Sequence, residues 1–242
     1  MSTTIATTTG LTGCGFSHLA AAEVRTWLGD DALIDWPAFA ASWNDLETDE
    51  YMADGGRYRR RRYACFSIVG AATARQPHRP HYQSRGYNAL NGGVDRWFTP
   101  VADTVAGHPL LARLLDRLSA AFAEAAGIPR AAPSWLVEMH QFRIEADPQR
   151  AGLPTPEGMH RDGVDWVAVT LIGRHNVSGG VTAVADEARR PLGSFTLATP
   201  LDTVLLDDHR VWHGVTPVQP LDPAVPAHRD VLVLTFRDMR AR

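Results

Sequence analysis

The chain has 242 residues, 45% of them hydrophobic and 21% charged, with a formal net charge of −3; it is long enough to bury a sizeable core and too acidic for general attraction to nucleic acid or anionic lipid. All 24 basic residues are arginine, and the lack of lysine excludes Schiff-base and pyridoxal phosphate chemistry, P-loop nucleotide binding and protein-kinase catalysis. Cys14 and Cys65 are too few for a disulfide framework, no apolar run approaches the roughly 18 residues of a membrane span, and the Thr-rich first ten residues lack the pattern of a secretion signal, so the expected location is the cytoplasm.

Along the chain, residues 20–28 and 36–43 carry apolar side chains at helical spacing. Arg57 and the run Arg59 to Arg62 follow, with Tyr58 inside and Tyr63 closing the stretch. Arginines beside aromatic rings suit single-stranded nucleic acid. Strand alternation instead sends successive arginines to opposite faces, one or two pointing inward to hold a substrate carboxylate while the rest stay in water. The acidic chain favours this second reading. Residues 108–127 form the clearest helix: Pro109 starts it, Leu111, Leu114, Leu115, Leu118 and Phe122 make one stripe, and Gly127 ends it.

From Trp135 onward, short β-rich runs alternate with Gly, Pro, Asn and Asp turns. Strands are expected at 135–144, 166–172, 181–185, 193–197, 203–206, 214–218 and 231–236. Many short strands without intervening helices indicate a sandwich or barrel of the jelly-roll type, whose mouth can hold a small molecule. The fold class is mostly β with flanking N-terminal helices. One domain over residues 1–242 is expected, with a mixed α/β flanking part over about 1–130 and the jelly-roll core over about 131–242.

The residues that carry chemistry are His160, Asp162 and His213. Two imidazoles and one carboxylate on one face of a metal leave open positions on the other, the ligand set of non-haem Fe(II) oxygenases. On a strand, His160 and Asp162 project to the same side, and a third ligand must come from another strand. A bare His-x-Asp is weak, because 10 histidines and 19 aspartates in 242 residues give about one copy by chance. The chain has a second, His228-Arg229-Asp230, but only the first has a histidine well downstream with an arginine beyond it. Gln141 and Arg143 share one face of the strand before the motif and are candidate substrate-binding residues, with an outward-facing polar pair as the alternative. Asp165 and Trp166 are candidates for the pocket border, with positions away from it as the favoured alternative; Trp212 is expected in the barrel wall, and His140 is a candidate for a place behind the metal ligands.

Several segments resemble a known family. They are Pro156-Glu-Gly-Met-His160-Arg-Asp162-Gly163, the run Asn176 to Gly180, the stretch Leu201 to Pro217 that contains His213, the stretch His228 to Phe236, and Asp49 to Tyr63. In their order along the chain, they are similar to Fe(II)/2-oxoglutarate oxygenases of the bacterial amino-acid dioxygenase group, which hydroxylate free isoleucine and related aliphatic amino acids. The resemblance implies a double-stranded β-helix, the jelly roll of cupins, with Fe(II) as cofactor and 2-oxoglutarate and O2 as co-substrates. It matches His160, Asp162 and His213 to the metal ligands and Arg229 to the arginine that grips the far carboxylate of 2-oxoglutarate. A planar guanidinium suits that job. One departure is Val231, where many relatives carry a hydroxyl residue two positions after this arginine. A related branch of halogenases lacks the carboxylate that Asp162 supplies, so hydroxylation or another oxidation is implied here.

The expected activity is hydroxylation of a small free L-amino acid, leucine- or isoleucine-like, with release of succinate and CO2. The alternatives are the same chemistry, or ring closure, on another amino-acid-derived natural-product intermediate, and a non-oxygenase cupin that binds a metal or ligand. The expected partner is a small amino-acid-like substrate, with no nucleic acid and no membrane; a homo-oligomer stays open.

Overall fold

A computed structural model describes residues 9–88, 90–129 and 132–240. Its strands, in chain order, are β1 (Phe16–Leu19), β2 (Glu47–Thr48), β3 (Arg59–Val69), β4 (Ala72–Arg75), β5 (Ser134–Ala146), β6 (Trp166–His175), β7 (Val177–Gly179), β8 (Val181–Ala185), β9 (Pro191–Thr196), β10 (Thr203–Asp207), β11 (Trp212–Val215), β12 (Val218–Pro220) and β13 (Ala227–Asp238). The large sheet runs β1-β10-β6-β13-β5-β3-β2, with β4 on β3. Its strand pairings among the described residues are antiparallel. A three-stranded sheet, β11-β8-β9, and a two-stranded one, β12-β7, complete the set.

Period-2 alternation splits the large sheet into two buried faces. On β13, Leu232, Leu234 and Phe236 pack with Trp135, Val137 and Met139 of β5 against the helix Pro109–Ala125. The intervening Val231 packs with Val167 and Leu171 of β6 and Val184 of β8. The small sheet therefore lies over the inner face of the large one, which is the jelly-roll arrangement. The helix starts as its sequence requires: Pro109 stands in its first turn, and the His108 ring accepts a hydrogen bond from the Leu110 N–H at 3.2 Å. Phe122 stacks on Trp166 with centroids 5.3 Å apart and meets Phe236 edge-on at 5.0 Å.

Two expectations change at this level. The helix over 36–43 ends at Ala41 and tightens into a 3-10 turn, Ser42–Asp45, which lets the Trp43 indole donate to the carbonyls of Phe142 and Val231, both at 3.2 Å. The strand over 214–218 divides into β11 and β12 around Pro217, which has no N–H to continue a ladder. The arginine run is the start of β3, paired along its length with β5, so strands from the first 130 residues are part of the large sheet.

Candidate metal centre and its cavity

The His-x-Asp motif does not sit on a regular strand, so the side-by-side rationale for His160 and Asp162 is corrected. His160 makes an isolated antiparallel bridge to His213, and Asp162 lies in the loop after it. The bridge is reciprocal, His160 N to His213 O at 2.9 Å and His213 N to His160 O at 3.0 Å. Backbone pairing thus delivers two imidazoles to one place, with ring centroids 4.4 Å apart. The loop is then turned by Asp208, whose carboxylate accepts the N–H groups of Asp162, Gly163 and Val164 at 2.9, 2.7 and 3.1 Å. Gly163 has φ of +78°, and a Cβ there would lie 2.5 Å from the Tyr87 ring, so only glycine allows that approach.

One ligand atom from each of His160, Asp162 and His213 lies within 4.8 Å of the others. Nε2 of His160 is 3.7 Å from Asp162 Oδ1, and Nε2 of His213 is 3.3 Å from Oδ2. Ligands at about 2.1 Å from an ion stand about 3 Å apart at right angles, so small adjustments close the set. The His160 Nδ1 donates to Gly158 O at 3.0 Å, which orients the ring and leaves Nε2 as the atom that binds a metal once its proton is lost. The His213 Nε2 is buried with no hydrogen-bond partner among the described residues. Burial opposes charge on His160, yet the hydrogen bond and charge of Asp162, with Glu157 behind, raise its pKa to about 9. Burial pushes the Asp162 carboxyl up, but the two imidazoles hold it well below the usual carboxylate range. This arrangement attracts a cation and can exchange a proton for it.

The centre opens on a cavity of about 330 Å³. Alternate residues of β13 line it: Arg229, Val231, Val233, Thr235 and Arg237. Arg229 is 2% exposed, and its Nε and Nη2 meet no partner among the described residues. Burial, with Arg174 alongside, lowers its pKa to about 10. A buried guanidinium with free N–H groups calls for an anion. Val231 leaves the wall beside it apolar, and the Thr155 hydroxyl in the same cavity is already bonded to the Val215 backbone.

Gln141 and Arg143 are not in this cavity, which corrects their reading as substrate residues. The inner face of β5 is Glu138, His140, Phe142 and Ile144, one position out of phase. Gln141 donates to Ser42 Oγ at 2.9 Å, and Arg143 pairs bidentately with Asp230 at 2.8 and 2.7 Å. Asp165 and Trp166 also turn away: Asp165 takes the His209 ring and the Asp238 N–H, and Trp166 belongs to the helix-side core. Trp212 lies under the guanidinium of Arg189, 3.5 Å from its centroid.

Sequence reasoning missed Asp208, Gln83, His81, Arg96 and Glu157. Arg59 and Arg61 do point inward while Arg60 and Arg62 pair outward with Glu145 and Asp45. The Arg61 guanidinium sits between Phe98 and Phe142, 3.6 and 4.4 Å from their centroids, and donates to His140 Nδ1. Burial and then Arg61 hold His140 and His81 well below the ordinary histidine range, so both are neutral. Glu157 lines the cavity with Oε2 buried and unpartnered.

No helix among the described residues is long and apolar enough to cross a membrane. Comparison with known proteins agrees with the geometry. The chain is 29% identical over 157 residues to L-isoleucine-4-hydroxylase of Bacillus thuringiensis, covering 64% of each chain. It is 28% identical over 160 residues to 3(1)-hydroxy-L-isoleucine 4-dioxygenase of Pantoea ananatis, covering 65% of this chain and 64% of that one. The matched stretch therefore spans less than two thirds of the length of these relatives. A solved structure of a BsmA homologue from Methylobium petroleophilum superposes with a TM-score of 0.87 at 42% identity, over 98% of this chain and 93% of the other. Residues 40–235 match the model of the 2OG-Fe dioxygenases, which use Fe(II), 2-oxoglutarate and O2, and the chain belongs to that family.

Proposed function

We propose that this chain hydroxylates a small free aliphatic L-amino acid of the leucine or isoleucine type, holding Fe(II) on His160, Asp162 and His213 and the far carboxylate of 2-oxoglutarate on Arg229. The observation that carries the reading is one cavity with two unmet demands: three converging ligand atoms and a buried guanidinium with unpartnered N–H groups. The relatives named for isoleucine and hydroxyisoleucine support the substrate class. When bound, iron and 2-oxoglutarate supply the oxidising power, with O2 converted to one hydroxyl on the substrate and one oxygen in succinate as CO2 leaves.

The chain's own residues do the rest. Arg229 fixes the diacid by its planar fork and so sets which end of it faces the ligand triad. Gly158 O orients the His160 ring, and Asp208 holds the backbone of the Asp162 loop. Val167, Val169, Val215, Val231 and Val233 give the cavity an apolar wall that excludes water from the reacting C–H bond. The test is incubation with Fe(II), ascorbate, 2-oxoglutarate and single amino acids. The expected result is a product heavier by one oxygen, formed with succinate. Turnover that survives His160→Ala or Asp162→Ala, or omission of Fe(II) or 2-oxoglutarate, overturns the reading.

A further inference from the structure

Four buried arginines are found among the described residues: Arg59, Arg61, Arg96 and Arg229. All four line the same cavity. Arg59 and Arg61 share one carboxylate, Asp49, at 2.7 and 3.5 Å. Arg229 has its proposed partner in 2-oxoglutarate. Arg96 is left. It is 2% exposed, no carboxylate lies within salt-bridge distance of it among the described residues, and its Nε has no partner. Its Nη2 donates to the neutral ring of His81 at 2.9 Å and lies 3.4 Å from Gln83 Oε1. A lone buried cation is unfavourable unless something anionic meets it. Burial and then the Arg59 charge disfavour the charged form of Arg96, and Asp49, Glu138 and Glu157 offset them only in part.

We propose that Arg96 is the carboxylate anchor for the organic substrate, so that the enzyme takes free amino acids and rejects amides, esters and carrier-bound thioesters. The inference rests on the amino-acid reading above. Gln83 ties the anchor to the metal centre: its Oε1 faces Arg96, and its Nε2 donates to the Asp162 carbonyl at 2.9 Å. A substrate held by its carboxylate at Arg96 is thereby placed at a set distance from the ligand loop, which selects the carbon presented for oxidation. The backbone of Arg96 is fixed independently by its reciprocal bridge with His81, at 2.9 and 3.0 Å, so its side chain can be changed without undoing the loop.

The experiment compares L-leucine and L-isoleucine with their α-amides, using wild type, Arg96→Met and Arg96→Lys. Loss of one partner from a buried charge pair corresponds to a drop on the order of 100-fold. Wild type is expected to disfavour the amide by about that factor in kcat/KM. Arg96→Met brings the acid down to the level of the amide and leaves the amide nearly unchanged; Arg96→Lys restores part of the discrimination. The KM for 2-oxoglutarate and its substrate-free decarboxylation stay as in wild type, which shows that the variants are folded. Equal losses for acid and amide in Arg96→Met, or equal use of both by wild type, overturn the anchor. If no amino acid stimulates succinate release, the amino-acid reading fails, and 4-methylpentanoate against its amide decides the anchor instead. Stimulation by that acid in wild type but not in Arg96→Met keeps it; stimulation by neither acid nor amide, or by both alike, rejects it.

Discussion

Asp208 is 2% exposed and accepts three successive backbone N–H groups of the loop that carries Asp162. Burial and the neighbouring Asp162 charge raise its pKa, and the backbone N–H donors offset this only in part. In Asp208→Asn an NH2 group faces at least one of those donors, and the loop loses its anchor. Supporting groups of this kind are worth about 10–100-fold in metal affinity. Titration calorimetry with Fe(II) under nitrogen is expected to show such a loss, with the 2-oxoglutarate interaction at Arg229 retained. Arg229→Leu gives the converse: iron binding persists, while the KM for 2-oxoglutarate rises about 100-fold. An unchanged KM removes Arg229 from its role. His160, Asp162, His213 and Arg229, which the fold brings to one cavity, are candidates from residue type, order and the family resemblance. Asp208 and Arg96 are not, because an aspartate or arginine becomes informative only when long-range packing buries it. Gln141 and Arg143 failed by one residue of phase: alternation says which residues share a face, not which face meets the cavity.

At the level of elements, alternation is enough for β3, where one or two arginines are expected to point inward. Arg59 and Arg61 are buried toward the cavity, on the shared carboxylate of Asp49, while Arg60 and Arg62 face Glu145 and Asp45. The helix Pro109–Ala125 was legible because its apolar stripe has one reading. Leu111, Leu115, Leu118 and Phe122 are all 0 or 1% exposed. Phe122 fills the space between Trp166 and Phe236 on the face of the large sheet away from the cavity. Phe122→Ala is expected to destabilise the fold by about 3–5 kcal/mol, measured by urea unfolding. Iron affinity in the remaining folded protein stays unchanged, because the ligand residues lie on the opposite side of that sheet. A parallel loss of iron affinity at temperatures where the variant is folded would show that the two faces are coupled.

For the whole molecule, the titrating groups divide by sign. His81 and His140 have folded pKa values well below 6.5, from burial and then Arg61, and half-buried His228 is lowered too. The unfolded chain binds more protons than the native state below about pH 6.5, so their contribution is complete above that value and is lost as pH falls, by roughly 1.4 kcal/mol per unit for each histidine. His160 has the opposite sign. Its pKa is raised to about 9 in the metal-free protein, so its contribution is complete below about pH 6.5 and is lost as pH rises toward 9. Metal-free protein is therefore expected to be most stable near pH 6.5, with Tm declining on both sides. Iron displaces the His160 proton, because a ligating imidazole must be neutral. Saturation with Fe(II) under nitrogen is then expected to raise Tm most at alkaline pH and to flatten the decline above pH 6.5, leaving the acid side in place. Thermal unfolding from pH 5.5 to 9, with and without Fe(II), measures both limbs. An alkaline decline that persists unchanged with bound Fe(II) shows that His160 does not give up its proton to the metal, and the ligand assignment fails with it.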